Sequence, residues 1–229
     1  MVIMSYKTSQ LIVKYVLLIW LMLGLFFFIS CGTQEVTVPD PNLELAIRER
    51  INKPEGPILT SELQQLTVFV AREQNITDLS GLEYCINLET LALLENRVSD
   101  VSTLASLTNL RTLALFENQI RDISPLASLD NLSRLHLMQN QIEDISPLAS
   151  LDKLYSLVLS ENQISDISSL ASLGELTNLY LRDNQITDIS PLAFLSNLGV
   201  VDLQQNPLDS KSINKFIPQL QERGVEVRR

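Results

Sequence analysis

Residues 109–129 read NLRTLALFENQIRDISPLASL. The phrase returns as NLSRLHLMQNQIEDISPLASL at 131–151 and as KLYSLVLSENQISDISSLASL at 153–173. Self-similarity at a fixed period decides the architecture before any secondary structure is read. Aligned on asparagine, Asn96, Asn118, Asn140, Asn162, Asn184 and Asn206 stand 22 residues apart, with Gln74 one period earlier. Around each runs L-x-x-L-x-L-x-x-N-x-I-x-D-I-x-P-L-x-x-L-x-x, numbered here from its first Leu. The constant positions must build a scaffold, and any function has to be sought in the variable ones.

Each constant position has a physical use. The alternation of Leu113 and Leu115 is the period of a short strand, placing both on one face. Asn118 ends that strand, where backbone groups lose their sheet partners. A buried amide both donates and accepts, so stacked asparagines predict a ladder, each loss costing ~1–3 kcal/mol. Ile120, Ile123, Leu126 and Leu129 point inward from the returning side. No coil can bury them alone, so stability must come from stacking. Ser124-Pro125, repeated as Ser146-Pro147 and Ser190-Pro191, reads as a helix start with Ser at the N-cap and Pro at N1. One short helical or 3₁₀ turn per coil is therefore expected on the convex side. The Asp row just before it (Asp78, Asp100, Asp122, Asp144, Asp166, Asp188) suits a turn whose N–H groups need acceptors.

The repeat resembles the leucine-rich repeat over residues 66–208, specifically the 22-residue class of internalins and of the repeat subunit that regulates eukaryotic protein phosphatase 1. The resemblance implies an α/β solenoid, a horseshoe whose concave face is a parallel sheet, with seven repeats between an N-terminal helical cap (36–65) and a C-terminal helix-strand cap (209–229). The residues agree. Asp40-Pro41 begins a helix with Leu43, Ile47 and Ile51 on one face, and a second short helix starts near Thr60-Ser61-Glu62-Leu63. Downstream, residues 210–224 read as a closing helix that Pro218 kinks or splits, Gly224 as its stop, and Val225-Glu226-Val227 as a last strand.

The first thirty residues form an address. Lys7 and Lys14 precede the apolar run 16–30, which has the length of a signal-peptide core and is short for a span of ~20 residues. Phe28-Ile29-Ser30-Cys31 resembles the bacterial lipobox. That resemblance implies cleavage before Cys31, a diacylglycerol on its sulfur and a linker at 31–35; Gly32, in place of Asp, lacks the usual signal for inner-membrane retention. An uncleaved anchoring helix and a plain secretory peptide are the alternatives. All three put residues 32–229 outside the cytoplasm.

Composition removes several function classes. Twenty-seven acidic residues oppose 17 basic ones, a formal charge of −10, which repels nucleic acid and anionic head groups. Two cysteines and one histidine supply neither a disulfide framework nor a zinc set. Calcium repeats need more oxygen ligands and glycines than the Asp row offers. His136 beside Ser156 or Ser160 has no orienting group and no oxyanion donor in view, so it reads as an exposed contact residue. Cys85 takes the convex Leu position of Leu107 and reads as a buried thiol. No cofactor and no metal are expected, and no catalysis.

The variable positions three, five and seven belong to the concave face. Position three runs Val68, Thr90, Thr112, Arg134, Ser156, Asn178, Val200, and position five runs Val70, Ala92, Ala114, His136, Val158, Tyr180, Asp202. Position seven runs Arg72, Leu94, Phe116, Met138, Ser160, Arg182, Gln204. Strands ~4.8 Å apart bring each row into contact. Leu94, Phe116 and Met138 are then a continuous apolar stripe, extended by His136, Arg134, Tyr180 and Arg182 and bordered at position eight by Glu73, Glu95, Glu117, Glu161 and Asp183. An apolar patch with a polar rim, carrying aromatic, Met and Arg residues, has the composition of a contact surface. The expected function is a lipid-anchored extracytoplasmic binding module for a protein partner, or a glycan as the second ligand class. The alternative is a regulatory or assembly subunit of an envelope enzyme, as the phosphatase-regulating relatives imply.

Overall fold

A computed structural model describes residues 34–229. The lipobox, Cys31 and the apolar run before it lie outside the described residues. Glu35–Val36 (β1) and Ile58–Leu59 (β2) form a small antiparallel pair around the helix Pro41–Ile51 (α1), and Thr60–Leu63 (α2) follows. Seven three-residue strands then recur once per coil: Val68–Val70 (β3), Thr90–Ala92 (β4), Thr112–Ala114 (β5), Arg134–His136 (β6), Ser156–Val158 (β7), Asn178–Tyr180 (β8) and Val200–Asp202 (β9). The helix Ile217–Glu222 (α3) leads to Glu226–Arg228 (β10). Strands β3 to β10 form one eight-stranded sheet in sequence order, all parallel.

The register is that of the repeat. Leu113 pairs with Leu91 on one side and with Leu135 on the other. Leu113, Leu115, Ile120, Leu126 and Leu129 have no exposed surface, and their equivalents in the neighbouring coils are as deeply buried. Each such side chain contributes about 1.5–3 kcal/mol by leaving water. Opposite the sheet, each of the first six coils carries a 3₁₀ segment such as Ser124–Ser128, the tight turn that fits a short return path.

The turn starts differently from the Ser N-cap expectation. Ser124 is already the first residue of the segment, and its N–H donates to Asp122 Oδ1 at 2.8 Å. The Asp row performs the capping: the same bond is made at Asp78, Asp100, Asp144, Asp166 and Asp188. An Asp side chain reaches a backbone N–H two residues on, closing an Asx-turn, which a shorter Ser side chain does more weakly. Those bonds, with the serine hydroxyls, hold Asp122 and Asp144 below the usual carboxylate range.

Three ladders of side-chain hydrogen bonds tie the coils together. In the first, Asn118 Nδ2 donates to Leu93 O of the preceding coil at 2.8 Å and to its own Leu115 O at 3.1 Å, while its Oδ1 accepts from Val98 N–H at 3.0 Å. Asn140, Asn162, Asn184 and Asn206 repeat this set, and Asn96 begins it. The other two were not anticipated. Asn87, Asn109, Asn131 and Asn197 donate to backbone carbonyls one coil back, and so do the Ser106, Ser128, Ser150 and Ser172 hydroxyls.

At the amino end, Leu43 and Ile47 are fully buried, and Asp40 links α1 to the first coil through Thr77 and Asp78. Gly81 has φ +105, and a Cβ there would meet Val38 at 2.9 Å; the close approach and the left-handed backbone both require glycine. At the carboxyl end the chain takes a π-helical turn, Ser212–Phe216, immediately before α3. That wide turn moves the carbonyl that the Pro218 ring would strike, so the segment is reshaped rather than broken. The last strand begins at Glu226, one residue later than the sequence placed it, and Leu203 N–H donates to Arg228 O as if another coil followed. Cys85 is fully buried, and burial, with the nearby Glu83 charge, pushes its thiol up to about 12.

Candidate functional site

Because residues alternate between the two faces of a strand, the buried Leu91, Leu113 and Leu135 fix what faces outward. Thr90, Thr112 and Arg134 are in register on the concave side, as are Ala92, Ala114 and His136. Row seven is held one step beyond the strands. Glu73, Glu95 and Glu117 N–H groups donate to the carbonyls of Leu94, Phe116 and Met138 at 3.0–3.1 Å. Leu94, Phe116 and Met138 therefore occupy one row in consecutive coils. Each is half-buried by its neighbours, which leaves a shallow strip of apolar surface rather than three protruding side chains.

The remaining residues extend the row toward the carboxyl end. His136 stands between Ala114 and Val158 and is half-buried, not the exposed residue that the sequence implied. Neighbouring strands only ~4.8 Å away wall in a side chain of this size. Burial and the nearby Arg134 charge lower its basicity below that of a free imidazole. The Arg134 guanidinium lies 5.0 Å from the centre of the Tyr155 ring, a cation–π distance. Tyr180 is in register with Val158 and Asp202, and Arg182 Nε donates to Gln205 Oε1 at 2.9 Å.

Two features escaped the sequence reading. Val68 and Val70 are 38% and 58% exposed, the most open apolar side chains of the concave sheet. Their signal was present, since they occupy rows three and five of the first coil. Tyr155 was passed over because it precedes the strand, at position two. Position eight carries a further surprise: Glu73, Glu95, Glu117, Gln139, Glu161, Asp183 and Gln205 all have φ between 54° and 57°, a left-handed backbone that costs non-glycine residues ~1–2 kcal/mol each. The Asn at position nine, bonded to carbonyls on both coils, holds that turn. Among the described residues no group of three or more His, Cys, Asp or Glu side chains is arranged to hold a metal ion, and no helix is long and apolar enough to cross a membrane.

The family of leucine-rich repeats (two copies) matches residues 86–128, 108–150, 130–172 and 175–217, together more than half of the chain. Among solved structures, an internalin, InlF, from Listeria monocytogenes is similar at 33% identity with a TM-score of 0.77, covering 83% of this chain and 55% of that one. Internalin C2 from Listeria monocytogenes is 32% identical with a TM-score of 0.61, over 82% of this chain and 91% of that one. A leucine-rich repeat protein of Leptospira interrogans is 25% identical with a TM-score of 0.62, over 73% of this chain and 50% of that one. No curated protein matches the chain. A parallel sheet built one strand per 22-residue coil, an asparagine at each turn and these likenesses meet in one conclusion: the chain belongs to the bacterial leucine-rich repeat family and is internalin-like.

Proposed function

We propose that this leucine-rich repeat domain is a non-catalytic module that holds a protein partner against its concave face. The observation that carries the reading is the single row Leu94, Phe116, Met138, aligned across consecutive coils by backbone hydrogen bonds. Flat, preformed strips of this kind bind without reordering the backbone, so little entropy is lost on association. His136, Arg134, Tyr180 and Arg182 supply the directional contacts around it. A glycan is the second ligand class, favoured only toward the polar, Tyr180-bearing end. The test is a pull-down of partners by wild type and by the pair Phe116→Asp plus Met138→Asp. Two carboxylates in the strip should weaken capture at least 30-fold while leaving the thermal midpoint within a few degrees, because both side chains are already partly in water. Equal recovery by the two proteins refutes the concave contact.

The same reading places the domain outside the cytoplasm, tethered by lipid on Cys31. Support comes from the small residue before that cysteine and the signal-length apolar run. Radiolabelled palmitate should label wild type in a bacterial host and not Cys31→Ala. A wild type that stays unlabelled removes the lipid. The alternative, a regulatory or assembly subunit of an envelope enzyme, uses the same surface and differs only in what sits on it.

A further inference from the structure

The apolar strip does not stand alone; an acidic rim runs beside it. Position eight places Glu73, Glu95, Glu117, Gln139, Glu161 and Asp183 in successive coils, and the shared left-handed backbone gives all six the same departure from the sheet. One contact shows that these carboxylates reach the concave row. Arg72, the first residue of row seven, has its guanidinium against the Glu95 carboxylate and 3.1 Å from Glu73. Coil one therefore already demonstrates how the rim accepts a cation. Farther along the row no internal cation is engaged: among the described residues, Glu117, beside Phe116, and Glu161, one coil beyond Met138, form no ion pair. Gln139 separates Glu117 from Glu161, which relieves repulsion along the row and leaves two charged positions about 10 Å apart, two coil spacings.

We propose that the partner on the concave face is a basic polypeptide segment that sets lysine or arginine side chains against Glu117 and Glu161 while an aliphatic or aromatic side chain between them covers Phe116 and Met138. The proposal rests on the concave-face reading above and adds the chemistry of the occupant. Charge complementarity argues for it twice. The rim beside the strip offers the carboxylates of Glu117 and Glu161, which no internal cation pairs, and the chain as a whole carries −10, which steers cationic segments toward it and repels acidic ones. An Arg on the partner would repeat the Arg72 contact, a charge-assisted pairing of guanidinium with rim carboxylates.

The test uses two synthetic twelve-residue peptides with the same central Leu-Phe pair, one flanked by lysines and one by glutamates, titrated against the full chain. The lysine peptide should bind at least tenfold more tightly at 0.15 M salt, and Glu117→Gln plus Glu161→Gln should reduce that preference to threefold or less. Asp130→Asn plus Asp152→Asn removes the same total charge from exposed turns at the opposite flank of the coils, and should leave the preference intact. Equal loss in the two double variants would show a net-charge effect and overturn the proposal, as would failure of both peptides to bind wild type. Phe116→Asp separates the two readings. If it weakens both peptides while the rim variants change nothing, the concave site stands and its cationic occupant falls.

Discussion

Replacing Asn140 with alanine should cost about 3 kcal/mol of stability, more than an exposed polar residue could, because the amide serves buried groups of two coils. Its Oδ1 accepts from Ile120 N–H at 3.0 Å, and its Nδ2 donates to Leu115 O at 2.9 Å, Leu137 O at 3.1 Å and Met138 O at 3.3 Å. The losses are unequal. Leu115 O and Leu137 O keep a second donor, from Asn118 and Asn162 respectively. Ile120 N–H keeps nothing and is buried among aliphatic side chains where water does not reach. One orphaned donor at ~1–3 kcal/mol, plus the net worth of the carbonyl bonds at ~0.5–1.5 kcal/mol each, gives the figure.

Two controls make the argument specific. Asn206→Ala removes an equivalent set of bonds in the last repeat, where the side chain is only part-buried; water substitutes there, and the cost should be nearer 1 kcal/mol. Asn140→Asp keeps the shape and the acceptor but turns a carboxylate toward three carbonyl oxygens, so at pH 7 it should be worse than alanine. Urea denaturation followed by circular dichroism reads all three. Because coils contact only their neighbours, a weakened central coil should also broaden the transition as the halves begin to melt separately. If Asn140→Ala and Asn206→Ala cost the same, burial is not what makes the ladder matter.

The rows of this fold were legible because they are periodic. Leu113 at position four and Phe116 at position seven differ in which face they occupy, and a period of two within the strand with 22 between coils settles both. What escaped was chemistry that has no hydropathy signature. The Asn109 and Ser128 rows are less regular than the Asn118 row, being interrupted by Lys153 and Glu175 and by Tyr84 and Phe194, and each lies in a polar turn where recurrence alone does not reveal a bond to a carbonyl one coil away. The left-handed backbone at position eight was hidden for a related reason. Gly and Asn mark such a conformation in sequence, whereas here Glu, Gln and Asp adopt it because the neighbouring Asn ladder imposes it from outside. The depth of row seven was hidden too. Half-burial of Phe116 and His136 depends on the size of their cross-strand neighbours.

The link between α1 and the first coil is made by a single carboxylate, and acid should break it. Asp40 divides its oxygens between two tasks. Oδ1 caps α1, accepting from Asn42 N–H at 2.9 Å and Leu43 N–H at 3.0 Å. Oδ2 accepts from Thr77 N–H at 2.7 Å, the Thr77 hydroxyl at 2.9 Å and Asp78 N–H at 3.2 Å, all in the first coil. Burial pushes this carboxyl up, but the bonds from Thr77, Leu43 and Asp78 outweigh it and bring it from 3.8 to about 2. A pKa depressed in the folded state means that the ionised form stabilises the fold. The contribution is complete above pH 3.8 and disappears as pH falls through about 2. At ~1.4 kcal/mol per unit, this amounts to about 2 kcal/mol. Asp40→Asn should keep the helix cap yet turn an NH₂ toward three donors, costing about 2 kcal/mol at pH 7, and Asp40→Ala, which loses both tasks, about 3 kcal/mol. Measured by urea denaturation from pH 7 down to pH 2, the gap between wild type and Asp40→Asn should close between about pH 4 and pH 2. Asp122 and Asp144, being intact in both proteins, cancel from that difference. A gap that stays constant over the whole range would mean that the charge on Asp40 does not join α1 to the repeats.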